Sequence, residues 1–504
     1  MALDELRHEI DEADRILLDA IEKRIDVARR IGEYKRIIGK PVYDRDREAS
    51  KLDSLERLAG AESRPYIRDL YTKIFEVTRS HEDKPLFGVL GQKLPHTYSP
   101  MIHHLLTDEY TYGIIEREPE ELDKLFADKV YGGFNVTIPY KKEAAKRCDV
   151  MSDEAAAIGA VNTVVFAPDG KTYGYNTDIF GFEYMLSRND IDPKGKKCLI
   201  LGTGGASAAV SYALNRMGAE VSFCSRTGEI DYDNVYEKCA DVSLIVNCTP
   251  VGMYPEVDGK ALELSKFNSC EAYADLIYNP SVTRLMEEAE SLGLKTAGGL
   301  SMLVAQAYKA SCFFKGEKTF EVTPESSKVI DEITDILTGR MKNIAFIGMP
   351  GCGKTSLGKH IARITGREFT DLDEAYIAEY GVKPSETIEA EGEDAFRQKE
   401  TEIIKKILPG SGRIISCGGG VVTRDINKYY LKCNSRIVYV ERPLESLDHK
   451  DRPLSAREGV EKLYEQRREN YESWSDVRLT IGAKESKYDF LDEAEDILRN
   501  EGII

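Results

Sequence analysis

The sequence predicts a multidomain chain: an all-α three-helix unit, then a two-lobed α/β unit, then a second α/β unit. Three observations predict it. Apolar residues at Leu3, Leu6, Ile10, Ala13, Leu17, Ile21, Ile25, Ala28 and Ile31 recur every three or four positions, the period of a helix. From Lys84-Pro85 onward, short apolar strands alternate with helical stretches, the pattern of parallel sheets. At Met341 a helical pattern gives way to a fresh apolar strand. The expected division is 1–84, 85–320, a linker at 321–341, and 342–504. A length of 504 residues accommodates it at about 150 residues per domain.

The first helix should end at Gly39-Lys40-Pro41. A stripe that long needs partner helices or another subunit to bury it. A second helix is expected over Asp44–Leu58 and a third over Pro65–His81. In the middle segment, strands are expected at Phe87–Leu90, Gly133–Thr137, Cys198–Leu201, Val221–Cys224 and Leu244–Asn247. They divide into a first lobe at about 85–185, joined by C-terminal helices, and a nucleotide-binding lobe at about 186–295.

Lys and Arg number 69 against 87 Asp and Glu, a net charge of −18. That balance argues against nucleic acid as a partner, which calls for a basic face. No run approaches 18 apolar residues, so no membrane span is expected. The first residues lack the basic-then-apolar order of a signal peptide. Ten cysteines are scattered without a C-x-x-C pair, as in a reducing compartment. The expected location is the cytoplasm.

In the third segment, Gly348-Met-Pro-Gly351-Cys-Gly353-Lys354-Thr355 fits G-x-x-x-x-G-K-[ST] without a mismatch. It follows the apolar strand Ile344–Ile347 and precedes a helical stretch from Ser356, the context a phosphate loop requires. Backbone N–H groups would curl around phosphate, Lys354 would reach the β- and γ-phosphates, and Thr355 would ligate Mg²⁺. Asp371 and Asp373 lie one strand later, on the same side if the segment is extended. One would serve the Mg²⁺ shell and the other a substrate hydroxyl. Arg397 and Glu400 follow one helical turn apart, then Gly418-Gly419-Gly420, Arg452-Pro-Leu and Arg467-Arg-Glu-Asn-Tyr471.

This ordered set resembles shikimate kinase across essentially all of 342–504. The resemblance implies ATP and Mg²⁺, with Thr355 and Asp371 at the metal. It implies that Asp373, Arg397, Gly419, Gly420 and Arg467 bind shikimate, with Asp373 accepting the 3-hydroxyl proton and Arg397 pairing with the carboxylate. Arg452 would close on the ATP phosphates as a lid. Gluconate or a nucleoside monophosphate are the alternative acceptors.

In the middle segment, Cys198-Leu-Ile-Leu-Gly202-Thr-Gly204-Gly205-Ala206-Ser207 is a strand, glycine turn and helix start, with Ser207 in the last place of G-x-G-x-x-G. This marks a Rossmann half. The next strand ends in Ser225-Arg226-Thr227. An arginine and hydroxyls at that place suit a 2′-phosphate, hence NADP. Upstream stand Thr97-Tyr-Ser99, Gly133-Phe-Asn135-Val-Thr137-Ile-Pro-Tyr-Lys141, Gly159-Ala-Val-Asn162-Thr and Asn176-Thr-Asp178; downstream stand Tyr278-Asn-Pro and Met-Leu-Val-Ala-Gln306.

These features resemble shikimate dehydrogenase over 86–315. By that resemblance Thr97, Ser99, Thr137, Asn162, Tyr278 and Gln306 bind substrate, and Lys141 with Asp178 forms the catalytic pair. Proton shuttling beside hydride transfer asks for such a pair. Thr97 stands where the family usually has serine, and its methyl leaves a quinate-preferring enzyme as an alternative. Ile179 stands where the family has glycine.

In the first segment, Arg24 and Lys35 are eleven residues apart, about 20° off one helical face, whereas Arg7 points roughly 100° away from Arg24. Arg7 would therefore serve a partner's pocket. Asp44, Arg47 and Glu48 share one face of the second helix. The segment resembles the all-helical chorismate mutase family, in which two chains intertwine as a homodimer. The resemblance implies that Arg7 from the partner and Arg24 bind the chorismate carboxylates, with Asp44 also at the substrate. Lys35 would hydrogen-bond the ether oxygen and Glu48 would hold the ring hydroxyl. Glu82 is aligned where the family often has glutamine, and a carboxylate there repels the developing anion unless protonated. The alternative is a non-catalytic helical dimerisation or regulatory unit.

Overall fold

The computed structural model describes residues 3–38, 40, 45–95, 97–447, 459–482 and 487–504. Asp44 and Arg452 lie outside the described residues, as do the side chains of Arg7 and Glu82. The chain forms two compact units, one from residues up to Phe180 with Ala305–Val329, the other from Gly181–Val304 with Ile330–Ile504.

The first unit opens with three helices, Leu3–Ile37, Arg45–Leu58 and Arg64–Asp83. The unbroken apolar stripe makes the first of them 35 residues long, about 52 Å at 1.5 Å per residue. It packs on the third helix, burying Ala28 and Phe75. Toward its N-terminal end, Ile10, Ile16 and Leu17 are all more than half exposed.

The same unit holds a six-stranded sheet in the order Thr111–Glu116, Leu86–Gly91, Gly133–Val136, Thr163–Phe166, Thr172–Tyr175, Val150–Met151. The first three strands are parallel, and antiparallel pairing begins at Thr163–Phe166. Leu86, Leu90, Phe134 and Val164 lie in its core. The long helix is tied to this sheet. Glu33 accepts from the Tyr131 hydroxyl at 2.5 Å and pairs with Arg117 at 3.4 Å. Gly113 admits the Arg29 guanidinium so closely that a Cβ would sit 2.6 Å from Nη1.

The second unit holds two five-stranded, all-parallel sheets. One runs Lys295–Gly298, Ala272–Asp275, Leu244–Asn247, Lys197–Leu201, Glu220–Cys224. The other runs Phe369–Asp371, Ile414–Ser416, Asn343–Ile347, Ser435–Glu441, Val477–Thr480. Near-continuous apolar strands suit sheets covered on both faces. The stretch read as a linker is mostly a helix, Pro324–Met341. Its Asp331 and Asp335 hold Arg188 at 2.8 and 3.0 Å.

The two sheets of this unit share buried side chains. Val257, in the connection between the strands Leu244–Asn247 and Ala272–Asp275 of the first, is fully buried in the core of the second, and its carbonyl accepts from the Tyr429 hydroxyl at 3.1 Å. Asp258 accepts from Tyr430 at 2.8 Å and pairs with Lys405 at 2.5 Å. The Arg284 guanidinium lies 3.4 Å from the centre of the Tyr429 ring.

Candidate active sites

The sheet of the first unit gathers one polar cluster. Leu90 and Val136 are paired on adjacent parallel strands, so the Gly91–Ser99 loop and Thr137 leave the sheet at neighbouring C-terminal ends. Val136 N donates to the Asn162 carbonyl at 2.7 Å, and Val161 N to the Lys141 carbonyl at 3.0 Å. These backbone links bring Thr137, Lys141 and Asn162 together. Lys141 Nζ then meets Asp178 Oδ2 at 2.5 Å, and Asn162 Nδ2 donates to the other oxygen, Oδ1, at 2.8 Å.

Behind this pair lies a buried network. Asn162 Nδ2 donates to Thr177 Oγ1 at 3.0 Å, which bonds Gln306 Oε1 at 3.3 Å. Asn135 Nδ2 donates to Thr163 Oγ1 at 3.0 Å, and Asn135 Oδ1 accepts from the Tyr112 hydroxyl at 2.7 Å. Burial holds the Tyr112 phenol well above its ordinary pKa. His103 stacks on Tyr112 at 3.8 Å, and burial pushes its pKa down to about 3. Thr97 and Ser99 form their own pair at 3.3 Å. Ile179 is buried. Thr163 and Thr177 stood inside the quoted motifs without a role of their own, and Tyr112 escaped the reading of the sequence. Only their nearness to Asn162 and Asp178 in the chain signalled the first two, and nothing local signalled Tyr112.

In the second unit, Gly202 adopts φ +96° at the end of its strand, where a Cβ would come 2.9 Å from Thr249 Cγ2. Gly204 caps the helix Gly205–Arg216, which opens with Gly205 and Ala206. Ser207 Oγ donates to the Gly204 carbonyl at 2.5 Å, fixing the turn from within. Ser225, Arg226 and Thr227 follow the neighbouring strand, with Arg226 and Thr227 exposed. Tyr278 follows Asp275, a fully buried carboxyl that accepts from Tyr273, Thr283, Asn247 and Ile277 N. Burial raises its pKa to about 6.

The phosphate loop begins at the C-terminal end of Asn343–Ile347. Gly348, Gly351 and Gly353 take φ of +140°, +84° and +99°, conformations that L side chains avoid. Lys354 Nζ donates to the Gly348 and Met349 carbonyls at 3.0 and 2.8 Å. Thr355 Oγ1 donates to Asp371 Oδ2 at 2.8 Å. A hydroxyl and a carboxylate so close are the hard oxygen donors that fit Mg²⁺. The alternation expected of Asp371 and Asp373 does not form. The strand stops at Asp371, whose carboxylate caps the helix Leu372–Tyr380 by accepting from Asp373 N, so Asp373 stands in the first helical turn.

The remaining residues of this site converge on the glycine run. A Cβ on Gly420 would fall 2.0 Å from Arg397 Nη2, and one on Gly418 would fall 2.8 Å from Glu400 Oε1 and 3.5 Å from Asp373 Oδ1. Arg467 Nη1 donates to the Gly419 carbonyl at 3.2 Å, and its Nε is buried without a partner. Arg397 is itself held by Glu400 at 2.8 Å and Glu393 at 3.1 Å. Glu393 was not anticipated; its place four residues before Arg397 was the available signal.

The three helices enclose a cavity of about 490 Å³ lined by Arg24, Lys35, Arg47, Glu48, Phe75 and Arg79, among others. The Arg24 guanidinium lies 4.9 Å from the Phe75 ring centre, and its buried Nε has no partner. Arg79 reaches Glu48 at 3.5 Å. It was missed because one arginine on a charge-rich helix carries no signal by itself. No described helix is long and apolar enough to cross a membrane.

Comparison with known proteins follows the same division. Residues 6–83 match the type II chorismate mutase family. Residues 89–164 match the shikimate dehydrogenase substrate-binding domain, and residues 350–498 match shikimate kinase. A shikimate dehydrogenase (NADP(+)) of Clostridium beijerinckii is 38% identical over 243 residues, spanning 44% of this chain and 89% of that protein. One from Methanopyrus kandleri is 36% identical over 262 residues, 46% of this chain and 90% of that protein. Among solved structures, a chorismate mutase/shikimate 5-dehydrogenase fusion protein from Clostridium acetobutylicum shares 33% identity over 51% of this chain and 97% of its own, with a TM-score of 0.46. The chain thus belongs to the shikimate dehydrogenase family and carries, in the same polypeptide, a type II chorismate mutase domain and a shikimate kinase domain.

Proposed function

We propose that this polypeptide runs three reactions: NADP-dependent interconversion of 3-dehydroshikimate and shikimate, ATP-dependent 3-phosphorylation of shikimate, and rearrangement of chorismate to prephenate. The first two are consecutive, since the product of one is the acceptor of the next. The observation that carries the reading is the Lys141–Asp178 pair at 2.5 Å, with Asn162 on the second carboxylate oxygen.

In the first reaction NADP, held at Gly202–Ala206 with Ser225, Arg226 and Thr227 toward its 2′-phosphate, supplies the hydride chemistry. Lys141 takes the proton as it leaves the substrate hydroxyl, and Asp178 holds Lys141 in place. Asn162 fixes the carboxylate so that one oxygen always faces the lysine. Thr97, Ser99, Thr137, Tyr278 and Gln306 orient the acid.

In the second reaction Asp373 accepts the proton of the 3-hydroxyl. Arg397 and Arg467, converging on Gly419 and Gly420, hold the carboxylate of the acceptor. Lys354 leaves its own loop carbonyls for the phosphates, and Arg452 closes over them. Mg²⁺, held by Thr355 and Asp371, supplies charge neutralisation on the phosphates.

The third reaction needs no covalent group, only restriction and charge. Arg24 anchors a carboxylate, Lys35 meets the ether oxygen, and Glu48 holds the hydroxyl. Arg47, Asp44 and Glu82 complete the set. The open apolar face at Ile10, Ile16 and Leu17 supports a homodimer through the first helices, with Arg7 of each chain completing the other's pocket. A reducing cytoplasmic location agrees with ten free cysteines.

Purified full-length chain assayed for all three conversions, with Lys141→Met, Asp373→Asn and Arg24→Ala, tests the proposal. Each variant should lose one reaction and keep the other two. Absence of chorismate turnover from pH 5 to 8, a window spanning carboxylate and histidine titration, would remove the third reaction and leave the helices an assembly role.

A further inference from the structure

Three of the four residues after Tyr278, namely Asn279, Ser281 and Val282, are anchored by the kinase domain. Asn279 Oδ1 accepts from Ser411 Oγ at 2.9 Å and from Asn434 Nδ2 at 3.3 Å. Pro280 has no N–H to offer. Ser281 N donates to Asn434 Oδ1 at 3.2 Å and Ser281 Oγ to the Cys433 carbonyl at 2.8 Å. Val282 N donates to the same carbonyl at 2.9 Å.

Asn434 is fully buried and also donates to the Gly410 carbonyl at 2.7 Å, so it is locked on the kinase side. The ends of the segment are held by the Rossmann lobe, where Asp275 accepts from Ile277 N at 3.0 Å and from Thr283 Oγ1 at 2.8 Å. Between these ends the segment borders a cavity of about 230 Å³, lined by Tyr278 together with Ser281 and Asn434. Tyr278 therefore borders this cavity, and the backbone that follows it is held by the kinase domain.

We propose that Asn434, with Ser411, is a positioning residue for the dehydrogenase: through Asn279 and Ser281 it sets the place of Tyr278 at the dehydrogenase substrate. The kinase domain is then a structural part of the dehydrogenase site. This inference rests on the reading of Tyr278 as a substrate-binding residue.

The test is steady-state oxidation of shikimate by NADP⁺ on the full-length chain, comparing Tyr278→Phe, Ser411→Ala, Asn434→Ala and the double variant Tyr278→Phe/Ser411→Ala. Ser411→Ala and Asn434→Ala should raise KM for shikimate roughly three- to tenfold, as a small misplacement of a binding group does, with kcat within about twofold. The double variant should be no worse than Tyr278→Phe alone, the signature of a shared path. An unchanged KM in Ser411→Ala, or additive effects in the double variant, overturns the inference. If Asn434→Ala fails to fold, Ser411→Ala decides, because it removes only the hydroxyl's bonds to Asn279 and Asn434 and leaves Asn434 on the Gly410 carbonyl. An unchanged KM in Tyr278→Phe overturns the reading of Tyr278 instead, and the two failures are distinguishable.

Discussion

Gly420 lies against Arg397 with no room between them: a Cβ on the glycine would stand 2.0 Å from Nη2 of the guanidinium. Arg397 is also held by Glu400 and Glu393, so moving its guanidinium strains both ion pairs. Gly420→Ala should therefore displace the guanidinium and lower kinase kcat/KM for shikimate by roughly 100-fold, as a 1 Å misplacement can. Dehydrogenase rates on the same preparation should not change. A kinase that tolerates alanine would show that Arg397 moves freely.

In the proposed mechanism the ion pair of Lys141 with Asp178 serves proton transfer and not cofactor binding. Lys141→Met should lower dehydrogenase kcat by about 10²- to 10⁴-fold, the usual contribution of a general base. KM for NADP should remain near its starting value. An equal rise in KM for NADP and fall in kcat would point to a disrupted lobe rather than a lost proton acceptor.

His103 makes the first unit sensitive to acid. Its pKa is about 3 in the fold against 6.5 in a model peptide, chiefly because it is buried. Between those values the unfolded chain binds the proton and the folded chain does not. Stability is therefore fully present above about pH 6.5 and is lost as pH falls toward 3, by up to about 1.4 kcal/mol per pH unit. Urea unfolding from pH 7 to 4 should show a shallower loss for His103→Phe than for the parent chain. Parallel curves would remove His103 as the cause.

Val257 belongs by sequence to the Rossmann lobe and by packing to the kinase core, fully buried among its residues. Val257→Ala should lower the stability of the kinase part by roughly 1–3 kcal/mol, the scale of a truncated buried aliphatic. Kinase activity should then be lost on heating several degrees earlier than in the parent chain. A kinase inactivation curve indifferent to Val257→Ala would show that the core closes without it.

The chemistry-bearing parts were legible in the sequence because they are local. A phosphate loop is eight consecutive residues, the Rossmann turn six, and the 3.6-residue stripe of the first helix repeats along one segment. The structure also brings Arg24, Lys35, Arg47 and Glu48 to one cavity, as helical spacing alone implied for Arg24 with Lys35 and for Arg47 with Glu48. The extended reading of Asp371 and Asp373 failed for a local reason too. Asp371 is a strong helix cap, and its hydrogen bond to Asp373 N ended the strand two residues early.

What the sequence by itself determined is the order of three folds, their expected reactions and the motifs from which the substrate-binding side chains are proposed. What only the tertiary structure decided is how those side chains are held. Asn162 splits its amide between Thr177 and Asp178, Arg397 carries two glutamates, Arg79 faces Glu48, and Asn434 grips the segment after Tyr278 across more than 150 residues of chain. Such contacts follow no period and leave no mark on neighbouring positions. They arise because buried polar groups must find partners wherever the packed chain supplies them.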